Sequence, residues 1–245
     1  MKKIICIIVL MLLIGLLLVS NSFIIKEVIE DKKQEAVFDE LNQITEVENI
    51  TLSSEEEKRN LGQLYSLNND LIGWIYIKDT NINYPVMQTK NNPNYYIRRD
   101  FYKNYSRYGT PYMAEQCNME TSGNLIIYGH NVKNSQMFGD LEKYKTKQFY
   151  NNHRIIGFET LDKKIEFEIC FVIKTTAYSE NSFKYYNYTD FYNEKEFAYF
   201  INQCKKYSIY ETDIMPEYSN KLITLSTCEY SNKNGRLAII AREIK

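Results

Sequence analysis

Histidine is scarce in this chain: His130 and His153 are the only two in 245 residues. With the five cysteines, Cys6, Cys117, Cys170, Cys204 and Cys228, far apart in sequence, no pair has the close ligand spacing of a zinc site. No metal or other cofactor is expected. The cysteines also lack the dense spacing of a disulfide scaffold, and a chain this long can build its own core. Net charge is nearly absent, at -1, so no basic field exists to attract nucleic acid. Glycine and proline are few, at nine and four, while 44% of residues are apolar and 25% charged, a globular composition rather than a disordered one. No repeat or low-complexity tract is present.

Charge is missing altogether from Ile4 to Val19, sixteen consecutive apolar or glycine residues preceded by Lys2 and Lys3. Extended through Ile25, a helix here would be about 33 Å long, enough to cross a bilayer core. The two lysines favour a cytoplasmic N-terminus, leaving the rest outside. Ser20 and Ser22 would also permit a cleaved leader, which likewise places the remainder outside. An uncleaved anchor over residues 1–25 is the preferred reading, giving a single-pass membrane protein with an extracytoplasmic domain.

Residues 26–69 carry eleven acids against five bases. Val37, Leu41, Ile44 and Val47 recur at helical spacing, and Ser53 with Glu56 forms a capping box ahead of Leu61, Leu64 and Tyr65 on one face. These residues predict a helical extension. Residues 70–245 then read as short strands rich in Ile, Val, Tyr and Phe: 74–77, 83–87, 112–114, 124–128, 154–159, 164–175, 222–227 and 236–242. Eight strands in one domain suggest a closed β-barrel. Phe197, Phe200, Ile201 and Cys204 mark a helix over 193–207 that lays one face on it. Cys170 and Cys204 fall on apolar stripes and read as buried packing residues; Cys117 has no evident role.

Two segments carry chemistry. Leu222 to Cys228, a turn, then Arg236 to Ile240 read as strand, turn, strand, with Asn234-Gly235 suited to the reversal. That hairpin returns Arg236 beside Cys228, where a guanidinium favours thiolate and can stabilise an oxyanion. A cysteine at a strand end is more often buried than catalytic, so its context decides. Tyr128-Gly129-His130-Asn131 follows the apolar run Leu125-Ile126-Ile127, placing an imidazole just past another strand end, suited to general acid and base work. His153, among Asn151, Asn152 and Arg154, reads as surface.

Taken together these residues resemble the sortase family, and class B in particular. Leu71 to Ile77 with Ile82 to Val86 is similar to the first barrel strands. Asn124 to His130, continuing to Met137-Phe138-Gly139-Asp140-Leu141, resembles the histidine segment. Thr224-Leu225-Ser226-Thr227-Cys228 with Arg236 eight residues on resembles the nucleophile and arginine. The late helix and the helical extension point to class B.

The resemblance implies an eight-stranded sortase-type barrel, mainly β, with N-terminal helices and one helix before the nucleophile strand. It also implies a transpeptidase that cleaves a C-terminal sorting signal of secreted proteins after Thr or Ser. Cys228 would form a thioacyl enzyme, His130 would act as general acid and base, and Arg236, with the backbone N–H of Glu229, would stabilise the oxyanion. An amine on a peptidoglycan precursor would resolve the intermediate. Substrate contacts are assigned to Ser226, Thr227, Glu229, Tyr96 and Ile97, with Glu229 as either an active-site acid or a solvent-facing group. Phe183 to Tyr192 falls where the family reads its signals, although such aromatics could equally pack on the late helix. A monomer is expected. A thiol protease of the same layout and a non-catalytic surface adaptor are the rival readings.

Overall fold

The computed structural model describes residues 2–46, 59–132 and 134–244. The chain divides into two compact units, residues 1–42 and 43–245. The first lies within α1, a single helix over Lys2–Glu46 that neither Ser20-Asn21-Ser22 nor the change to charged sequence at residue 26 interrupts. Over 45 residues, it joins what the sequence divides into an anchor and an extension. Its apolar segment from Ile4 to Ile25 is exposed, and it is long and apolar enough to cross a membrane or to serve as a signal sequence. Val47 and the Ser53/Glu56 capping box lie outside the described residues. The second helix observed, α2 (Gly62–Leu67), buries Leu61 and Leu64 but leaves Tyr65 exposed, so these three do not share a buried face.

The second unit is built on a closed barrel of eight strands: β1 (Leu71–Tyr76), β2 (Asn83–Met87), β3 (Tyr112–Met113), β4 (Asn124–Tyr128), β5 (Ile155–Glu159), β6 (Lys164–Thr176), β7 (Leu222–Glu229) and β8 (Gly235–Glu243). Around the barrel the order is β1-β2-β3-β4-β7-β8-β6-β5. β2 with β3 and β4 with β7 are parallel; the other neighbours are antiparallel. Closure leaves no ladder edge open to solvent or to another chain. The strands follow the alternation of their side chains, as in β6, where Ile165 and Phe167 are buried and Glu166 and Glu168 are not.

β7 and the middle of β8 are buried on both faces, which Leu222, Ile223 and Leu225 and the run Leu237 to Ala241 reflect. On the outer face Leu222, Ala238 and Ile240 pack with Phe197, Phe200, Ile201 and Cys204 of α4 (Glu194–Tyr207). Burying each large apolar side chain contributes about 1.5–3 kcal/mol, so this layer fixes β7 from outside. α4 begins at a reciprocal cap: the Asn193 side chain accepts from the Glu196 N–H, and the Glu196 carboxylate accepts from the Tyr192 N–H. Lys205 and Lys206 in its last turn complement the helix dipole.

At the barrel end where β7 finishes, a tight 3-10 segment over Gly139–Lys145 packs on β7 and β8, with Leu141 and Tyr144 fully buried. A short helix missed in the sequence, α3 (Lys147–Asn152), follows it. His153 closes α3 and is half-buried, stacked on the Phe149 ring at 4.0 Å with Nδ1 2.9 Å from the Phe149 carbonyl. It is a capping residue rather than the surface filler expected. Cys170 and Cys204 are buried as expected, and Cys117 is buried too, its sulfur accepting from the Ile126 N–H. All five cysteines are free.

Candidate active site

β4 and β7 run parallel, and their last registered pair is Tyr128 with Ser226. Two residues further on, the strands deliver His130 and Cys228 to the same barrel rim, side by side. Across the other edge of β7, the antiparallel register sets Arg236 directly opposite Cys228. Directly opposed residues project from the same face of a sheet. Sequence-distant residues are thus brought to adjacent positions by three neighbouring strands, with the cysteine in the middle.

His130, Cys228 and Arg236 together line a pocket of about 100 Å³, bounded also by Ile97, Thr110, Tyr112, Tyr128, Gly129, Ser226 and Thr227. Cys228 is half-buried, whereas Cys117, Cys170 and Cys204 are fully buried. The imidazole Nε2 lies 2.8 Å from the Ile97 carbonyl oxygen. A carbonyl only accepts, so Nε2 carries a proton, which leaves Nδ1 as the acceptor whenever the ring is neutral. Burial lowers the His130 pKa from its ordinary value; the Ile97 carbonyl opposes this and the nearby Arg98 adds to it.

The glycine before His130 has a steric reason. A Cβ at Gly129 would sit 2.6 Å from the Phe138 ring. Phe138 is wholly buried, and its N–H donates to the His130 carbonyl at 2.9 Å, so the ring that Gly129 admits also anchors the histidine turn.

Among the other expected contacts, Ser226 and Thr227 line the pocket. Ser226 Oγ is 2.5 Å from the Tyr185 hydroxyl, and Thr227 Oγ1 donates to the Gly129 carbonyl at 2.8 Å. Ile97 lines the pocket and holds His130 by its carbonyl. Tyr96 does not reach it. Its hydroxyl is 2.8 Å from both Asp70 and Asn68, and the ring is buried, which makes it a pin for the β1 entry.

Glu229 is likewise placed away from the pocket, for a reason of parity. β7 continues through Glu229, so the side chain after Cys228 points to the opposite face of the strand. There it is buried, accepting from Lys145 at 2.6 Å and from Ser231 Oγ at 2.8 Å, with Lys174 at 3.5 Å. Burial pushes this carboxyl up, but the Lys145 and Ser231 hydrogen bonds and the two cations outweigh it and hold the pKa at about 2. Its side chain is neither a solvent-facing group nor an acid facing the thiol.

A larger groove of about 410 Å³ continues from the pocket and shares Ile97, Tyr112, Tyr128 and Arg236 with it. Asn94, Tyr178, Tyr185 and Tyr186 form much of its remaining wall. The aromatic stretch 183–192 therefore divides. Tyr185 and Tyr186 face the groove, while Phe183, Tyr188 and Phe191 pack on Phe200 of α4. Tyr112 and Tyr128 were read from the sequence only as strand residues and not as part of the site; their place at the ends of short strands, with Tyr128 in the histidine segment, was the available signal.

A profile described as "Sortase domain" matches residues 75–244. Curated sortase B of Staphylococcus aureus is 32% identical over 241 residues, covering 97% of this chain and 96% of the relative. The chain belongs to the sortase B family. Sortase B of Listeria monocytogenes is 32% identical over 233 residues, 94% of this chain and 92% of that one. Among solved structures, a Staphylococcus aureus sortase B–substrate complex superposes with a TM-score of 0.77 at 32% identity, covering 89% of this chain and 99% of that one. Clostridium perfringens sortase B gives 0.68 at 29% identity, covering 75% and 99%. This sortase B is accordingly a cysteine transpeptidase. Among its described residues no cluster of His, Cys, Asp or Glu is arranged to hold a metal ion.

Proposed function

We propose that this sortase B cleaves a C-terminal sorting signal after Thr or Ser and transfers the acyl group to an amine of a peptidoglycan precursor. The observation that supports this is the meeting of Cys228, His130 and Arg236 in one pocket that opens into a peptide-sized groove. Cys228 gives its thiol proton to Nδ1 of His130, and the resulting thiolate attacks the scissile carbonyl carbon while the electron pair of the C=O moves to oxygen. Arg236 and the Glu229 backbone N–H stabilise that oxyanion. The tetrahedral species collapses with loss of the C–N bond, and the departing amine takes its proton from His130. The incoming amine then attacks the thioester, gives a proton to His130, and expels the thiolate. One difficult exchange becomes two easier acyl transfers.

The tyrosine-rich groove, with Ile97 on its wall, and the adjoining pocket lined by Ser226 would hold the signal. The N-terminal helix would anchor the enzyme, N-terminus inside, and present the barrel outside the membrane, where secreted clients arrive. It would act as a monomer.

The test uses the full chain solubilised in detergent, offered a panel of signal peptides of Asn-Pro-x-Thr-x, Ser-Pro-x-Thr-x and Leu-Pro-x-Thr-Gly type with an oligoglycine or diamine acceptor. A ligated product that Cys228→Ala abolishes is expected. Hydrolysis unaffected by any acceptor would replace the transpeptidase reading with a thiol protease.

A further inference from the structure

The β4–β7 ladder closes two residues short of the chemistry. Its last registered pair is Tyr128 with Ser226, followed by a main-chain bond from the Gly129 N–H to the Ser226 carbonyl at 3.1 Å. His130 and Cys228 lie beyond it, so side chains must set the spacing between them.

Asn131 spans that gap. Its Nδ2 is 2.8 Å from the carbonyl oxygen of Cys228 and 3.0 Å from Glu142 Oε1. A carbonyl and a carboxylate only accept, so the amide nitrogen must face them, and its two N–H groups are used, one on each. Glu142 is itself fixed by Lys145 at 2.5 Å, and the same ammonium holds Glu229 at 2.6 Å. From the other side, the Tyr230 hydroxyl donates to the Asn131 carbonyl at 3.1 Å. The residue after His130 is therefore tied directly to the main chain of Cys228 and to the Tyr230 side chain, and through Glu142 and Lys145 to that of Glu229.

We propose that Asn131 is a positioning residue for transpeptidation, its amide fixing the His130 turn against the Cys228 main chain while Glu142 and Lys145 orient that amide. The inference rests on the roles of Cys228 and His130 proposed above. Asn131 does not line the pocket, so it acts through the two groups it joins. Its contribution lies in geometry, where a misplacement of about 1 Å can cost about 100-fold in rate.

The experiment compares the full chain with Asn131→Ala and with the near-isosteric Asn131→Asp, which puts a carboxylate where two acceptors need donors. Each preparation is first titrated with a thiol alkylating reagent, and the labelling of the exposed Cys6 measured in Cys228→Ala is subtracted to count reactive Cys228. Rates with signal peptide and acceptor amine are then expressed per titrated thiol across pH. Expected is a fall in kcat of about 10- to 100-fold, with KM for the peptide changed less than about threefold and the pH profile scaled down without a shift. A merely structural asparagine would reduce the titrated fraction and leave the rate per thiol intact, and that result in either folded variant overturns the proposal. If Asn131→Ala does not fold, the Asp variant is read by the same criterion. Wild type and Cys228→Ala run in parallel separate the two readings: absence of cysteine-dependent transfer in wild type removes the underlying reaction, whereas a normal wild type with an unimpaired Asn131 variant removes only this inference.

Discussion

Cys228 and Arg236 are cross-strand partners, paired directly in the β7–β8 ladder. Their relation is set by the main-chain register, which a change of side chain does not alter. Arg236→Lys therefore keeps a cation near the thiol but removes the planar fork that can donate in two directions. For that variant kcat should fall by about 100-fold, and for Arg236→Ala further, while the far-UV spectrum stays unchanged. Steady-state kinetics with one signal peptide checks this, and full activity in the lysine variant would deny the guanidinium its role.

Tyr185 and Ser226 form the clearest link between groove wall and nucleophile strand, their hydroxyls 2.5 Å apart in a buried setting. Burial pushes the tyrosine up to about 12, against the pull of the Ser226 hydrogen bond and of Arg236, so it remains a phenol throughout the working range. Tyr185→Phe leaves the ring in place and removes this bond, at a cost of about 1 kcal/mol. The groove wall then loses its fixed distance from β7. We expect KM for the peptide to rise about three- to tenfold with kcat nearly constant; a change in kcat alone would mean that Tyr185 serves the chemistry instead.

The barrel was legible because its strands are short, apolar and punctuated, and six strand ends fall within a residue of expectation at β2, β4 and β5. Cys228 and Arg236 could be paired from sequence because a hairpin is a local structure. His130 could be placed at a strand end but not beside Cys228 by local rules, since the parallel β4–β7 pairing joins segments about 100 residues apart; only the resemblance supplied that. Tyr96 and Glu229 were misread for one shared reason. Sequence proximity to a site does not say which way a side chain points, and a single-residue step along β7 sends Glu229 to the far face. Tyr65 and His153 failed through short helices whose ends were invisible in the pattern.

Gly129 joins packing to catalysis. Alanine there drives a methyl into the Phe138 ring, which has no free space to yield because it is wholly buried. Overpacking of this kind costs about 1–3 kcal/mol, and the strain falls on the turn that Phe138 anchors through the His130 carbonyl. Gly129→Ala should lower both the melting temperature, by about 2–10 °C, and kcat. A co-substituted Phe138→Leu should recover part of the loss by vacating volume. Calorimetry and kinetics on the single and double variants decide whether the two defects share this cause.

Acid should unfold this sortase partly through Glu229. Its folded pKa of about 2 lies below the ordinary 4.5, so between those values the unfolded chain binds the proton more readily than the native one. Stability from this group is complete above about pH 4.5 and is lost as pH falls towards 2. Glu229→Gln cannot ionise, and it leaves Lys145 and Lys174 without their buried counter-charge. The variant should be less stable at pH 7 yet lose less melting temperature than wild type between pH 7 and pH 3. Other carboxylates titrate in the same window in both proteins, so the difference between the two slopes isolates this one. Parallel slopes would show that the cluster of Glu229, Lys145 and Lys174 contributes nothing to acid sensitivity.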